Sequence, residues 1–184
     1  VGQSPYSASK IGSDNLAVSY FRSFGTPVKI VRPFNIYGPR QSARAIIPSV
    51  IVQILNGQRQ LKLGNIDPTR DLTFVKDTAS GFLEIAAHDE LNGEYVNIGM
   101  NHEISVCDLV KKIASLMKVE VEIISDRERV RPVQSEVERL FCNNSKLLKH
   151  TKWKPAYDLD RGLSETIEWL TQNQKMYKAD LYNV

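Results

Sequence analysis

The chain has 184 residues, 42% hydrophobic and 24% charged, with a formal net charge of +3. That composition suits one globular domain or one large fragment. It contains no apolar run near the ~20 residues of a membrane-spanning helix and no visible signal peptide. Its thinly spread positive charge excludes the dense basic stripe of a nucleic-acid binder. Cys107 and Cys142 lack metal or redox spacing and read as reduced cytosolic thiols, and His88, His102 and His150 are scattered. No metal site is therefore expected.

The first element opens at Ser4, a plausible N-cap, with Pro5 at the first helical position, where its missing N–H costs nothing. The helix should run to about Phe24, with Gly25 at C′ and Pro27 as a stop. Ala17, Tyr20, Phe21 and Phe24 form an apolar stripe, suited either to the core or to a subunit contact. Near the start, Tyr6 and Lys10 lie four residues apart and share one face. A lysine charge beside a phenol favours the phenolate, so the pair could give or take a proton. The plainer alternative is an aromatic footing beside a solvated charge.

Residues 28–32 are β-branched and read as a strand, ended by Pro33. The loop 33–40 follows, in the place where ligands bind in doubly wound α/β sheets. A helix is predicted over 46–55, stopped by Asn56-Gly57, then a brief strand over 61–63 and a turn at 64–68. A strand over 72–75 precedes a helix over 78–87, with Asp77 as its N-cap. Asn92-Gly93 signals a turn before a strand over 94–98 that ends at Gly99. Ser105 and Asp108 resemble a capping box, opening a helix with Leu109, Val110, Ile113, Leu116 and Met117 on one face. Residues 119–124 alternate as a half-buried strand, and 125–137 form a charged loop. A short helix reaches His150, Trp153-Lys154-Pro155 makes a turn, and a last helix covers 159–172 before a polar tail at 173–184. Strands alternate with helices, so the class is α/β.

Six stretches, in order, resemble the NAD-dependent epimerase/dehydratase family of extended short-chain dehydrogenases/reductases. They are Ser4-Pro5-Tyr6-Ser7-Ala8-Ser9-Lys10, Arg32-Pro33-Phe34-Asn35-Ile36-Tyr37-Gly38-Pro39, Ile46-Ile47-Pro48, the run from Thr69-Arg70-Asp71 to Asp77, Asn97-Ile98-Gly99 and Trp153-Lys154-Pro155. Together they span nearly the whole chain, and the loop from Arg131 to Arg139 looks most like nucleotide-sugar 4,6-dehydratases. The resemblance implies the C-terminal part of a Rossmann-type doubly wound parallel sheet plus a small α/β substrate-binding domain. Residues 1–40 would complete the NAD-binding domain, 41–172 would mostly bind nucleotide sugar, and 173–184 would be a tail.

It implies NAD as cofactor, a nucleotide sugar (UDP-, GDP- or dTDP-linked) as substrate, a homodimer and a cytoplasmic setting, with no nucleic-acid or membrane partner. Tyr6 would take the sugar 4-hydroxyl proton while C4 gives up hydride, with Lys10 supporting it at the nicotinamide ribose. Pro33, Phe34 and Ile36 would line the nicotinamide. Asn35, Leu61, Leu63, Arg70, Asn101 and Arg131 would hold the substrate, the two arginines as forks for phosphate oxygens. The family's glycine-rich pyrophosphate turn and the Asp-Glu pair of its dehydratases do not occur in these residues. The expectation is thus a C-terminal half, inactive alone. Its parent would be a 4,6-dehydratase, with a 4-epimerase, a decarboxylase or a non-catalytic nucleotide-sugar-binding module as alternatives.

Overall fold

Helix α1 (Pro5–Phe24) has the ends its sequence dictates. The Ser4 side chain accepts the Ser7 N–H and the Ser7 hydroxyl accepts the Ser4 N–H, closing a capping box, while Gly25 (φ 65°) takes the left-handed cap and donates to the Phe21 carbonyl. The computed structural model describes residues 2, 4–126 and 137–177. Its further elements are β1 (Ile30–Pro33), β2 (Asn35–Tyr37), α2 (Ile46–Leu55), β3 (Gln60–Leu63), β4 (Thr69–Arg70), β5 (Leu72–Phe74) and α3 (Val75–Ala86). After these come β6 (Tyr95–Ile98), β7 (Ile104–Ser105), α4 (Val106–Leu116), β8 (Glu122–Ser125), β9 (Arg139–Leu140), α5 (Ser145–His150) and α6 (Leu159–Gln172). The expected α/β class is what the structure has.

Strand pairing is mostly parallel: β1 with β6, β2 with β5, and β3 with β8. The strand β4 lies between antiparallel β7 and parallel β9. Helices α2, α4 and α6 pack on one another around a core that includes Ile51, Leu61, Leu63, Phe74, Leu109, Ile113 and Leu163. A second core of Ile85, Leu91, Val96, Ile98, Leu147 and Trp153 joins α3, β6 and α5.

Four departures from the sequence reading have physical causes. The loop 33–40 contains a strand, β2, because Asn35, Ile36 and Tyr37 pair with β5. Asp77 is not an N-cap: α3 begins at Val75 with Phe74 at its cap. The buried Asp77 carboxylate instead accepts Ala156 N–H (2.8 Å) and Tyr157 N–H (3.1 Å). The stripe on α1 divides, with Phe21 half-buried while Tyr20 and Phe24 face outward. The tail is docked at its start, since Tyr177 Oη donates to the Gln41 carbonyl and Gln174 Nε2 to that of Leu55.

Candidate active site at the carboxyl ends of the parallel strands

Helix α1 runs back over β1. Its Asp14 carboxylate meets the Arg32 guanidinium at 2.7 Å, and the Arg32 group stacks 4.3 Å from the centre of the Tyr95 ring. Tyr6 lies eight residues before Asp14, roughly 12 Å further along the helix at ~1.5 Å per residue. That carries the first turn of α1 past the carboxyl end of β1, the side on which open α/β sheets bind ligands. Tyr6 is 72% exposed, and Lys10 Nζ lies 5.7 Å from the centre of its ring. The two predicted proton-handling side chains therefore share one solvent-facing surface.

At the ends of β1 and β6, Pro33 is exposed and Phe34 half-buried, and Phe34 N–H donates to the Ile98 carbonyl at 2.8 Å. Ile36 is exposed, and its carbonyl accepts Gln41 Nε2. Asn35 pairs in register with Leu72, and its side-chain Nδ2 is buried without a hydrogen-bond partner. A buried donor left unpaired is costly, so this amide is a group to which an added acceptor would bring a gain.

Arg70 is half-buried, and its Nη1 donates to the carbonyls of Thr69 (2.8 Å) and Val137 (2.7 Å). Asn101 is exposed in a left-handed conformation (φ 53°). Leu61 and Leu63 differ from the rest: their side chains are core, on the inward positions of β3, and are closed to a ligand. Arg131 lies outside the described residues. A cleft of about 620 Å³ opens elsewhere, between α1, β1 and α3, lined by Asp14, Ala17, Ile30, Phe82 and Ile85 but by none of the predicted site residues. The chemistry-bearing residues give a better guide than the size of that hollow.

The sequence reading missed a polar cluster beside Arg70. The Glu103 carboxylate receives Arg139 through Nε and Nη2 (2.6–3.0 Å) and Thr69 Oγ1 at 2.6 Å. Those bonds, Arg139 first, hold its carboxyl well below the usual range, at about 2. It also missed Asp71, which is fully buried and accepts N–H groups 29, 31 and 71 residues away. Such separations leave no local pattern to find.

With this geometry in view, similarity to known proteins is informative. The family profile of GDP-mannose 4,6 dehydratase matches residues 1–166. The chain is 32% identical over 173 residues to a trifunctional UDP-glucose 4,6-dehydratase/3,5-epimerase/reductase of Arabidopsis thaliana, covering 94% of this chain and 26% of that protein. It is 31% identical over 181 residues to dTDP-glucose 4,6-dehydratase of Xanthomonas campestris, covering 93% of this chain and 50% of that one. The solved dTDP-glucose 4,6-dehydratase of Bacillus anthracis in complex with NAD superposes with a TM-score of 0.82 at 30% identity, over 95% of this chain and 54% of that one. The chain thus spans about half the length of the bacterial relatives it matches, and about a quarter of the Arabidopsis one. Motif order, parallel α/β architecture and a match over most of its length agree: this chain belongs to the GDP-mannose 4,6-dehydratase family, within the NAD-dependent epimerase/dehydratases.

Proposed function

We propose that this chain serves in an NAD-dependent nucleotide-sugar 4,6-dehydratase, acting on a UDP-, GDP- or dTDP-linked hexose or N-acetylhexosamine. The observation that carries the reading is the buried, unpartnered Asn35 Nδ2 just past the carboxyl end of β1, the end beyond which the first turn of α1, with Tyr6 and Lys10, extends. Relatives named as 4,6-dehydratases support the reaction type. Family membership supports NAD, and the residues present fit one end of it. An exposed phenol and ammonium on one helix face suit the hydroxyls of the nicotinamide ribose, and Pro33, Phe34 and Ile36 offer an apolar wall for the ring. These residues form no phosphate cradle, so the pyrophosphate would be held by others.

Bound NAD supplies a hydride acceptor that is regenerated when the hydride returns to the sugar. Tyr6 takes the proton of the sugar 4-hydroxyl, with Lys10 beside it toward the nicotinamide ribose. Asn35 Nδ2 donates to a sugar or diphosphate oxygen. Arg70, and Arg131 in its loop, offer guanidinium forks to the diphosphate, with Asn101 framing the nucleotide. Residues 1–40 thus serve the cofactor side and 41–172 mostly the substrate side. The expected homodimer would form on the outward face of α1.

The test is turnover of a nucleoside-diphosphate hexose by this chain joined to an NAD-binding half. Replacing Tyr6→Phe should lower kcat roughly a hundredfold or more, the usual span for lost acid–base catalysis, with NAD still bound. Undiminished turnover would remove Tyr6 from the mechanism.

A further inference from the structure

Arg70 and Asn101 belong to different elements, one on β4 and the other in the turn between β6 and β7. One side chain reaches both regions. Asp71 follows Arg70 directly and has no exposed surface. Its Oδ1 accepts the Met100 N–H at 2.8 Å, and its Oδ2 accepts those of His102 and Cys142, each at 3.2 Å. Met100 and His102 flank Asn101, whose φ of 53° is in the left-handed region, which Asn adopts more readily than other non-glycine residues. Alternate N–H groups on either side of a left-handed residue form a concave anion-binding nest. Here the anion is the protein's own carboxylate.

That carboxylate is closed to solvent, and Gly99 leaves no room for a side chain beside it. A side chain on Gly99 would put its Cβ 3.2 Å from Asp71 Oδ1 and 2.3 Å from Cys142 Cβ. The Gly99 carbonyl is in turn held by Asn144 Nδ2 at 2.8 Å. The Asp71 N–H donates to the Leu140 carbonyl at 2.9 Å, continuing the β4–β9 ladder on which Arg70 sits opposite Leu140. The backbone at Asp71 therefore fixes the strand that carries Arg70, and its side chain fixes the turn that carries Asn101.

We propose that Asp71 is a positioning residue, whose buried carboxylate holds the 100–102 turn so that Asn101 frames the nucleotide of the same substrate whose diphosphate Arg70 takes. The inference rests on the substrate-side reading of Arg70 and Asn101 given above. Asp71 touches no reacting atom. It acts through the backbone of its neighbours and replaces, within the protein, solvent that would otherwise compete for the Met100 and His102 N–H groups.

The test measures binding of UDP, dTDP and GDP to this chain by titration followed in amide NMR spectra, with a double-mutant cycle between Asp71→Asn and Asn101→Ala. Each single variant should weaken binding of the preferred nucleotide roughly tenfold, within the range usual for coupled sites, and the double variant should be no weaker than the worse single one. Additive losses in the cycle would overturn the proposal, because a general loosening of the fold would not act through Asn101. Should Asp71→Asn fail to fold, hydrogen exchange in the unmutated chain decides. Nucleotide binding must then slow exchange at the Met100 and His102 amides, and unchanged exchange there overturns the proposal. If Arg70→Ala and Asn101→Ala leave binding intact, or the unmutated chain binds none of the three nucleotides, the substrate-side reading fails and takes the proposal with it. If those two variants weaken binding and Asp71→Asn does not, the positioning role alone fails.

Discussion

Cys142 is fully buried against Gly99 and Asp71. Burial, and after it the Asp71 charge, pushes its thiol up to about 12, against an ordinary value near ~8.5 for an exposed cysteine. A group whose folded-state value is raised favours the fold while its proton is on. That contribution is complete below the ordinary thiol range and is lost as pH rises toward about 12. Tyr37, buried under α6 with its phenol raised for the same first reason and by Asp158 next, acts in the same direction. The expected outcome is a urea-unfolding midpoint that is level around pH 7–8 and falls steadily above about pH 9. Cys142→Ala should make that fall shallower while the Tyr37 share persists. An alkaline slope identical in the variant would show that the thiol does not contribute.

At the scale of elements, the Trp153 motif shows how a turn becomes a clip. Trp153 is a core side chain whose indole N–H reaches the Asp77 carbonyl (3.0 Å) and Ser80 Oγ (3.1 Å), while the Asp77 carboxylate takes Ala156 N–H and Tyr157 N–H in return. The start of α3 and the approach to α6 are thus bonded both ways. Asp77→Asn should cost about 1–3 kcal/mol, the usual penalty for disturbing a buried charged acceptor, and Trp153→Phe, which keeps most of the bulk, about 1 kcal/mol. Both are read from urea midpoints at unchanged slope, and a neutral Asp77→Asn would show that the clip is incidental. The same residues show what sequence can disclose. Helix ends written in adjacent residues were legible: Ser4, Gly25 and Ser105 cap as expected, and α6 covers the predicted 159–172. Asp77 carried the local signature of a cap, but its two partners lie 79 and 80 residues later. The two-residue strands β4, β7 and β9 exist only because they pair with one another, so no periodicity announces them. In the candidate site, Tyr6, Lys10, Asn35 and Arg70 were nameable from motifs, whereas Asp71, Glu103 and Arg139 follow from contacts between distant segments.

For the whole molecule, the question is what α1 faces. Across its 20 residues only Val18 is buried. Residues 14, 17, 18 and 21 are the less exposed face of the helix, whereas Leu16 (60% exposed), Tyr20 (51%) and Phe24 (76%) repeat every four residues and stand outward beside it. The Tyr20 and Phe24 rings already touch, with centres 5.6 Å apart. Scattered apolar side chains on a surface need no explanation, but a contiguous helical stripe does. A four-residue repeat also presents the ridge that packs into the groove of another helix. A two-fold pair of α1 helices would bury the stripe on both copies with a single self-complementary contact, which is the geometry the expected homodimer requires. Sedimentation equilibrium should then give twice the chain mass at micromolar concentration. Leu16→Glu combined with Phe24→Glu should return it to the chain mass with unchanged circular dichroism, because neither side chain supports the core. A monomer before mutation, or a dimer that survives both charges, would show that this stripe is not the subunit contact.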